Sequence, residues 1–282
     1  IRATASREGI EQLADMLAKA KSPAIITERA GETRAAVAHL VAIAELLGAP
    51  VAESRSTKVI NFPRNHPLHS GNNALGTIAD ADVVFMPGVI APWHPSNAGP
   101  APGAKVAVLD ENPLRQEKPV WGFQTDLVLF GDLETSLASL LDALKTRVQP
   151  GDPARVKRAE ALAVKNNARR KKIADEAAGM KSAAPVDARY FAHELNQLLP
   201  ADAVWVDETI TTRALLFPVM DKVNNFYTGS VGGLGTGFGT ALGVKAGNPD
   251  KVVIFTVGDG SFNYNPVTAA LGAAQEHKLP II

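Results

Sequence analysis

Short apolar runs alternate along this chain with longer stretches in which apolar residues recur every three or four positions. In the first half the runs at 23–27 (PAIIT), 50–53, 82–86, 105–109 and 126–130 have the length of buried strands. Between them, residues 6–19 carry Ile10, Leu13, Met16 and Leu17 at helical spacing behind Ser6, a natural N-cap. Residues 32–47 carry Val37, Leu40, Val41, Ala44 and Leu47 and stop at Gly48, a natural helix terminator. Residues 133–146 read as the last helix of this half. Strands this short, alternating with helices, predict a parallel sheet with helices on its faces.

Residues 1–148 are therefore expected to form a Rossmann-like α/β domain. The first strand leads into Glu28-Arg29-Ala30-Gly31 and not into G-x-G-x-x-G, so a dinucleotide site has no fingerprint here. Two loops stand out. The segment 61–73 (NFPRNHPLHSGNN) is long and irregular, and its His66 and His69 read as hydrogen bonders that fix the loop. The segment 87–100 follows the third strand and holds His94 between Trp93 and Pro95, at the strand end where parallel sheets place ligands. His94 is thus a candidate acid/base, with an ordinary surface-loop histidine as the alternative.

Residues 149–184 change character. They are rich in Ala, Lys and Arg, with a thin apolar stripe (Val156, Leu162, Val164, Ile173), and predict an exposed helical linker. The second half resumes the alternation. Residues 185–198 form a helix with Phe191, Leu195 and Leu198 on one side, and 203–207 form a strand ending in Asp207-Glu208-Thr209-Ile210-Thr211-Thr212. A strand at 225–228 precedes the glycine-dense run 229–247, GSVGGLGTGFGTALGVKAG, which turns helical from Gly235. Residues 251–257 read as a central strand that stops at Gly258-Asp259-Gly260-Ser261. A helix follows, and Leu279-Pro280-Ile281-Ile282 opens another strand.

Composition adjusts this picture only slightly. The 282 residues are 46% hydrophobic and 21% charged, with 29 Lys+Arg against 29 Asp+Glu. Balanced charge gives no field to attract nucleic acid or an anionic membrane, so the basic cluster Arg169–Lys172 reads as a solvated helix face. The absence of cysteine excludes disulfides, zinc-thiolate sites and thiol nucleophiles, and fits a cytoplasmic protein. No apolar run approaches the ~18–20 residues of a membrane span. Ile1 is not a methionine and the chain stops inside an opening strand, so a piece of a longer polypeptide is expected.

The candidate chemistry gathers in the second half. Two helix N-termini, after the glycine run and after GDGS, offer backbone N–H groups to phosphate oxygens. Asp259, on a tight turn beside Ser261, suits a divalent cation bridging to phosphates. Thr209 and Thr211 are either phosphate-holding hydroxyls or plain N-caps. Gly232 and Gly233 permit close backbone approach, and Leu234 is the one large residue in their turn.

These residues resemble a known family. Gly258-Asp259-Gly260-Ser261, followed about twenty residues later by Leu279-Pro280, is similar to the start of the thiamine-diphosphate signature of the decarboxylase and acetolactate synthase superfamily. The glycine run resembles that family's GGLG segment, with Gly239-Thr240 where the family carries Pro-Ala. Asn263-Tyr264, Ala273-Ala274-Gln275 and the Asp207-Glu208-Thr209 strand end look closest to benzoylformate decarboxylase-like enzymes. The resemblance covers the whole chain: 1–148 looks like the central Rossmann-like domain, 149–184 is the linker, and 185–282 looks like an incomplete thiamine-diphosphate-binding domain. The implied fold is α/β, with two parallel-sheet domains.

The resemblance implies thiamine diphosphate and Mg2+ as cofactors. Asp259 becomes a metal ligand, Gly260 and Ser261 lie near the diphosphate, Gly232 offers its backbone to the aminopyrimidine, and Leu234 is the wedge that bends the cofactor. His94 matches an active-site histidine of the central domain. FAD, held by some carboligases of this family, has no fingerprint here. The substrate implied is a small 2-keto acid, which loses CO2 after the cofactor adds to its carbonyl. Protonation then makes a decarboxylase, and addition to a second carbonyl an acetolactate synthase-like carboligase. The activating glutamate and second metal ligand belong to segments outside these residues, and a homodimer or homotetramer is implied. The non-enzymatic alternative, an interaction or regulatory module with a degenerate site, is opposed by intact Asp259, Gly260 and Leu234.

Overall fold

A computed structural model describes residues 2–54, 58–93, 99–115, 123–223, 225–229 and 233–282, in two compact units. The first takes in residues up to 57 with 61–166, the second residues 58–60 with 167–282.

In the first unit the apolar runs become β1 (Pro23–Thr27), β2 (Val51–Glu53), β3 (Val83–Pro87), β4 (Lys105–Asp110) and β5 (Leu127–Phe130). They form one sheet in the order β2-β1-β3-β4-β5, with every pairing parallel. Side chains alternate across it. Ile25, Phe85, Ala107 and Leu109 pack against α1 (Arg7–Lys19), α2 (Arg34–Leu47) and α4 (Leu133–Lys145), while Ala24, Ile26, Val84, Met86, Val106 and Val108 pack with Ala74 and Ile78 of the short α3 (Ala74–Ile78). The helix signals work as their chemistry requires. Ser6 Oγ accepts from the Gly9 N–H at 3.2 Å, and Gly48 ends α2 in the left-handed region at φ 57°.

The loop at 61–73 is tied by acids. Buried Glu53 accepts from the backbone and side-chain amides of Asn61 at 2.8 and 3.2 Å and pairs with His69 Nε2 at 3.1 Å. His66 Nε2 lies 3.2 Å from Glu45, and its Nδ1 accepts from the Leu68 N–H. Both histidines thus anchor the loop.

The helical stretch expected in the middle is α5 (Pro153–Gly179), and its arginines do more than solvate a face. Arg155 donates to the Ala18 carbonyl, and Arg158 to those of Lys21, Leu47 and Gly48. They satisfy the carbonyls left over where α1 and α2 end. Farther along, Lys171 and Lys172 pair with Asp175 and Glu176 one turn on, as exposed i,i+4 pairs.

In the second unit β6 (Val204–Glu208), β7 (Asn225–Thr228) and β8 (Val253–Val257) form a parallel sheet in the order β7-β6-β8. β6 lies between β7 and β8, and β8 is itself flanked on both sides, as expected of a central strand. Ile282 pairs along the other edge of β8, donating to Val253 and accepting from Phe255. One face carries Trp205, Phe226 and Ile254 against Leu216, Phe217 and Val219 of α7 (Arg213–Val219) and Ala192 of α6 (Ala188–Leu198). The opposite face sets Val204, Val206 and Val253 against Ala241 of α8 (Gly237–Gly247). The packed side of α6 differs from the expected one. Ala188, Ala192 and Leu195 face the core, while Phe191 and Leu198 are 47% and 79% exposed. Leu195 belongs to both stripes, and the smaller residues take the inner one.

Gly48→Ala tests the cap. Its Cβ would stand 2.5 Å from the Arg155 carbonyl oxygen, on a backbone that side chains disfavour. A loss of about 1–3 kcal/mol is expected in urea unfolding. An unchanged midpoint would remove the cap from the account.

Candidate functional site

From β6 the chain passes outward to β7 and then crosses to β8 on the other side. The strand order therefore reverses between β6 and β8, and open parallel sheets take ligands at the carboxyl ends beside such a reversal. β6 ends there in two adjacent acids, which the alternation of a strand sends to opposite faces.

Asp207 is fully buried. Its Oδ1 accepts from the Thr209 N–H (3.2 Å), the Thr209 hydroxyl (2.6 Å) and the Thr256 hydroxyl (2.7 Å). Its Oδ2 accepts from Arg213 Nε at 2.5 Å, and Arg213 reaches on to Thr228 Oγ1. Trp205 Nε1 donates to the same Thr256 oxygen at 2.8 Å. All three strands are joined by this network.

Glu208, 3% exposed, serves the opposite face. Its Oε1 accepts from the Thr236 N–H (2.9 Å), the Thr236 hydroxyl (3.3 Å) and the Gly237 N–H (3.2 Å). Its Oε2 accepts from Asn265 Nδ2 at 2.6 Å, and its carbonyl accepts from the Gly258 N–H at 3.4 Å. Asn265 also donates to the Ser261 carbonyl at 2.8 Å and accepts from the Phe238 N–H at 3.0 Å. Gly237 must be glycine for this approach, because a Cβ there would lie 2.5 Å from the Phe255 ring and 3.0 Å from Glu208 Cβ.

These contacts correct the expectation of two phosphate-ready helix N-termini. The first turn of α8 is already satisfied by the Glu208 carboxylate. The single helix expected after GDGS is two, α9 (Asp259–Tyr264) and α10 (Val267–Glu276), parted at Asn265-Pro266. Asp259 opens α9. It is exposed, and its carboxylate makes no hydrogen bond or ion pair with another described residue. A Cβ on Gly260 would meet nothing within 4 Å, so the turn is open above its backbone. Ser261 is buried beneath it. Gly233 is exposed and Leu234 is 40% exposed. Gly235, at φ 92°, packs so closely that a Cβ would sit 2.5 Å from the Tyr264 carbonyl oxygen.

Thr211 is exposed, whereas Thr209 is buried with its N–H and O–H both committed to Asp207. Phosphate oxygens require donors, and among the described residues the hydroxyl of this pair without a partner is that of Thr211. His94 and Gly232 lie outside the described residues. Sequence reasoning missed Asn265 and the role of Glu208. The one local signal was Asn265 before Pro266, a helix break.

The sequence matches the family description "Thiamine pyrophosphate enzyme, central domain" over residues 10–140 and "Thiamine pyrophosphate enzyme, C-terminal TPP binding domain" over residues 210–282. Together the two matches cover well over half of the chain. It belongs to the thiamine pyrophosphate enzyme family.

Among curated relatives, this thiamine pyrophosphate family member is 26% identical over 286 residues to 2-hydroxyacyl-CoA lyase 2 of Homo sapiens, covering 99% of this chain and 44% of the relative. It is 25% identical over 285 residues to benzoylformate decarboxylase of Pseudomonas aeruginosa, covering 97% and 49%. Among solved structures, the thiamine diphosphate-dependent 4-hydroxybenzoylformate decarboxylase of Rhodococcus jostii RHA1 aligns with TM-score 0.74 at 23% identity, over 100% of this chain and 51% of that one. That likeness concerns the fold. The chain spans about half the length of the curated relatives it matches.

The residues present fit thiamine diphosphate with a metal. An unpartnered carboxylate on an open glycine turn can bind a cation, and an exposed leucine on the neighbouring glycine segment offers an apolar surface. Among the described residues no group of three or more acids or histidines could hold a metal.

Asp207→Ala would strand Arg213, Thr209 and Thr256 beside a buried gap. It is expected to destabilise the second unit by about 3–5 kcal/mol in urea unfolding followed by circular dichroism. A loss below about 1 kcal/mol would show the network to be dispensable.

Proposed function

We propose that this chain is the central and cofactor-binding part of a thiamine-diphosphate- and Mg2+-dependent enzyme that decarboxylates a 2-keto acid without oxidation. The observation that carries the reading is the unpartnered Asp259 carboxylate on the open turn at the end of β8, next to the segment bearing Leu234. Residues 1–148 are read as the central domain and 185–282 as the thiamine-diphosphate-binding part, with 149–184 between them.

Asp259 ligates the metal, and the backbone of Gly260 and Ser261 faces the diphosphate with Thr211 as an added donor. Gly232 and Gly233 present backbone to the aminopyrimidine. Leu234 would supply an apolar support for the bound cofactor. When bound, thiamine diphosphate supplies the electron sink for the bond that breaks. His94 is assigned the handling of a proton near the substrate. FAD gains no support: after β1 the chain presents Glu28, which accepts from the Ile90 N–H at 2.9 Å, and Arg29, paired with Glu32, in place of a glycine fingerprint. A homodimer or homotetramer in the cytoplasm belongs to the same proposal.

A second reading, cleavage of a 2-hydroxyacyl-CoA, is favoured by the 26% identity to the human lyase, level with that to the decarboxylase. Carboligation of the acetolactate synthase kind differs only in the acceptor for the same carbon nucleophile.

The full-length protein, offered 2-keto acids and 2-hydroxyacyl-CoA thioesters with thiamine diphosphate and Mg2+, separates these readings. Cofactor-dependent CO2 with an aldehyde supports the decarboxylase, and CO2 with an acyloin the carboligase. Aldehyde from the thioester without CO2 supports the lyase, and no turnover of either class overturns the proposal. Asp259→Ala is expected to abolish Mg2+-dependent thiamine diphosphate binding in calorimetry, and unchanged affinity would refute the metal assignment.

A further inference from the structure

The two segments assigned to the cofactor come from different crossovers of the sheet. Leu234 precedes α8, and Asp259 opens α9, a helix of only six residues. Neither segment is long enough to hold its own position, and binding geometry tolerates errors of well under about 1 Å. Something must fix the distance between them.

We propose that Glu208 and Asn265 are positioning residues for the cofactor site, a buried clasp that sets the spacing of the Leu234 and Asp259 segments. The inference rests on the thiamine-diphosphate reading above. Glu208 holds the Thr236 and Gly237 amides on one side and Asn265 and the Gly258 amide on the other. Asn265 uses both ends of its amide: Oδ1 takes the Phe238 N–H, and Nδ2 serves Glu208 and the Ser261 carbonyl. With side chains buried and committed in this way, both residues act through the segments they join. The fit of Gly235 against the Tyr264 carbonyl makes the spacing rigid, since the two backbones are already in contact there.

The clasp is separable from the sheet. The strands are joined on the other face by the Asp207 network and by the Trp205–Phe226 pair, whose ring centroids are 4.8 Å apart. Loosening the clasp therefore disturbs the two segments before it disturbs the strands.

The polarity of the clasp provides the test. Asn265→Asp sets carboxylate against carboxylate, and Glu208→Gln sets an amide NH2 against another. The double variant restores one donor facing one acceptor while keeping acceptors for the Thr236, Gly237 and Phe238 amides. Thiamine diphosphate affinity is measured by titration in Mg2+ on full-length protein, at a temperature where circular dichroism shows every variant folded. Each single variant is expected to bind about 10- to 100-fold more weakly than wild type, the range typical of residues that orient ligating groups, and the double variant to recover most of the loss. If one single variant does not fold, the other and the double carry the comparison. Folded single variants with wild-type affinity, or a double variant no better than the singles, would overturn the clasp. Failure of the wild-type protein itself to bind thiamine diphosphate would instead sink the functional reading on which it rests.

Discussion

The second unit depends on a carboxylate buried at the end of its middle strand. A charge removed from water needs several donors, or it costs more than the fold can bear. Glu208 finds them in the first turn of α8 and in Asn265. That requirement reaches back into the sequence. The backbone can deliver its amides to the carboxylate only if Gly237 passes between Glu208 and the Phe255 ring, and only if Gly235 adopts its left-handed turn against Tyr264. Two glycines of the run that reads as a phosphate cradle thus answer to an internal anion. Gly233, before Leu234, and Gly260, after Val257, are both exposed.

The adjacent acids of β6 divide the work because a strand sends neighbouring side chains to opposite faces. Asp207 shares a face with Trp205 and binds α7, β7 and β8 through Arg213, Thr228 and Thr256. Glu208 shares a face with Val206 and binds α8 and α9. Stability and site geometry are therefore assigned to consecutive residues, and a change in one need not disturb the other.

What the sequence made legible was whatever carries a period or a local chemical signal. β1 and β7 fall at the limits their apolar runs indicate, and α1 and α2 start and stop at Ser6 and Gly48, where the capping chemistry lies in neighbouring residues. GDGS and the glycine run could likewise be read as motifs. The clasp could not. Glu208 and Asn265 are 57 positions apart, and neither belongs to a repeating pattern. The face of α6 was misjudged for a related reason: periodicity offers two stripes through Leu195, and only the packing of Ala192 into the core chooses between them.

The first unit shows why Asp259 differs from the other acids at strand ends. Glu28, Glu53 and Asp110 follow or end β1, β2 and β4, and all three are buried. Each accepts a backbone amide from a loop, those of Ile90, Asn61 and Asn112. Glu53 and Asp110 also meet His69 and Arg115. Their negative charge is spent on ordering the protein's own loops. Asp207 and Glu208 follow the same rule. Asp259 follows β8 in a similar position, yet it stays exposed and its carboxylate makes no hydrogen bond or ion pair with another described residue. It also opens a helix whose early amides attract anions. Among the described strand-end acids, this carboxylate, kept out of internal pairing on a turn bare of side chains, is the one whose charge remains available to a cation from outside.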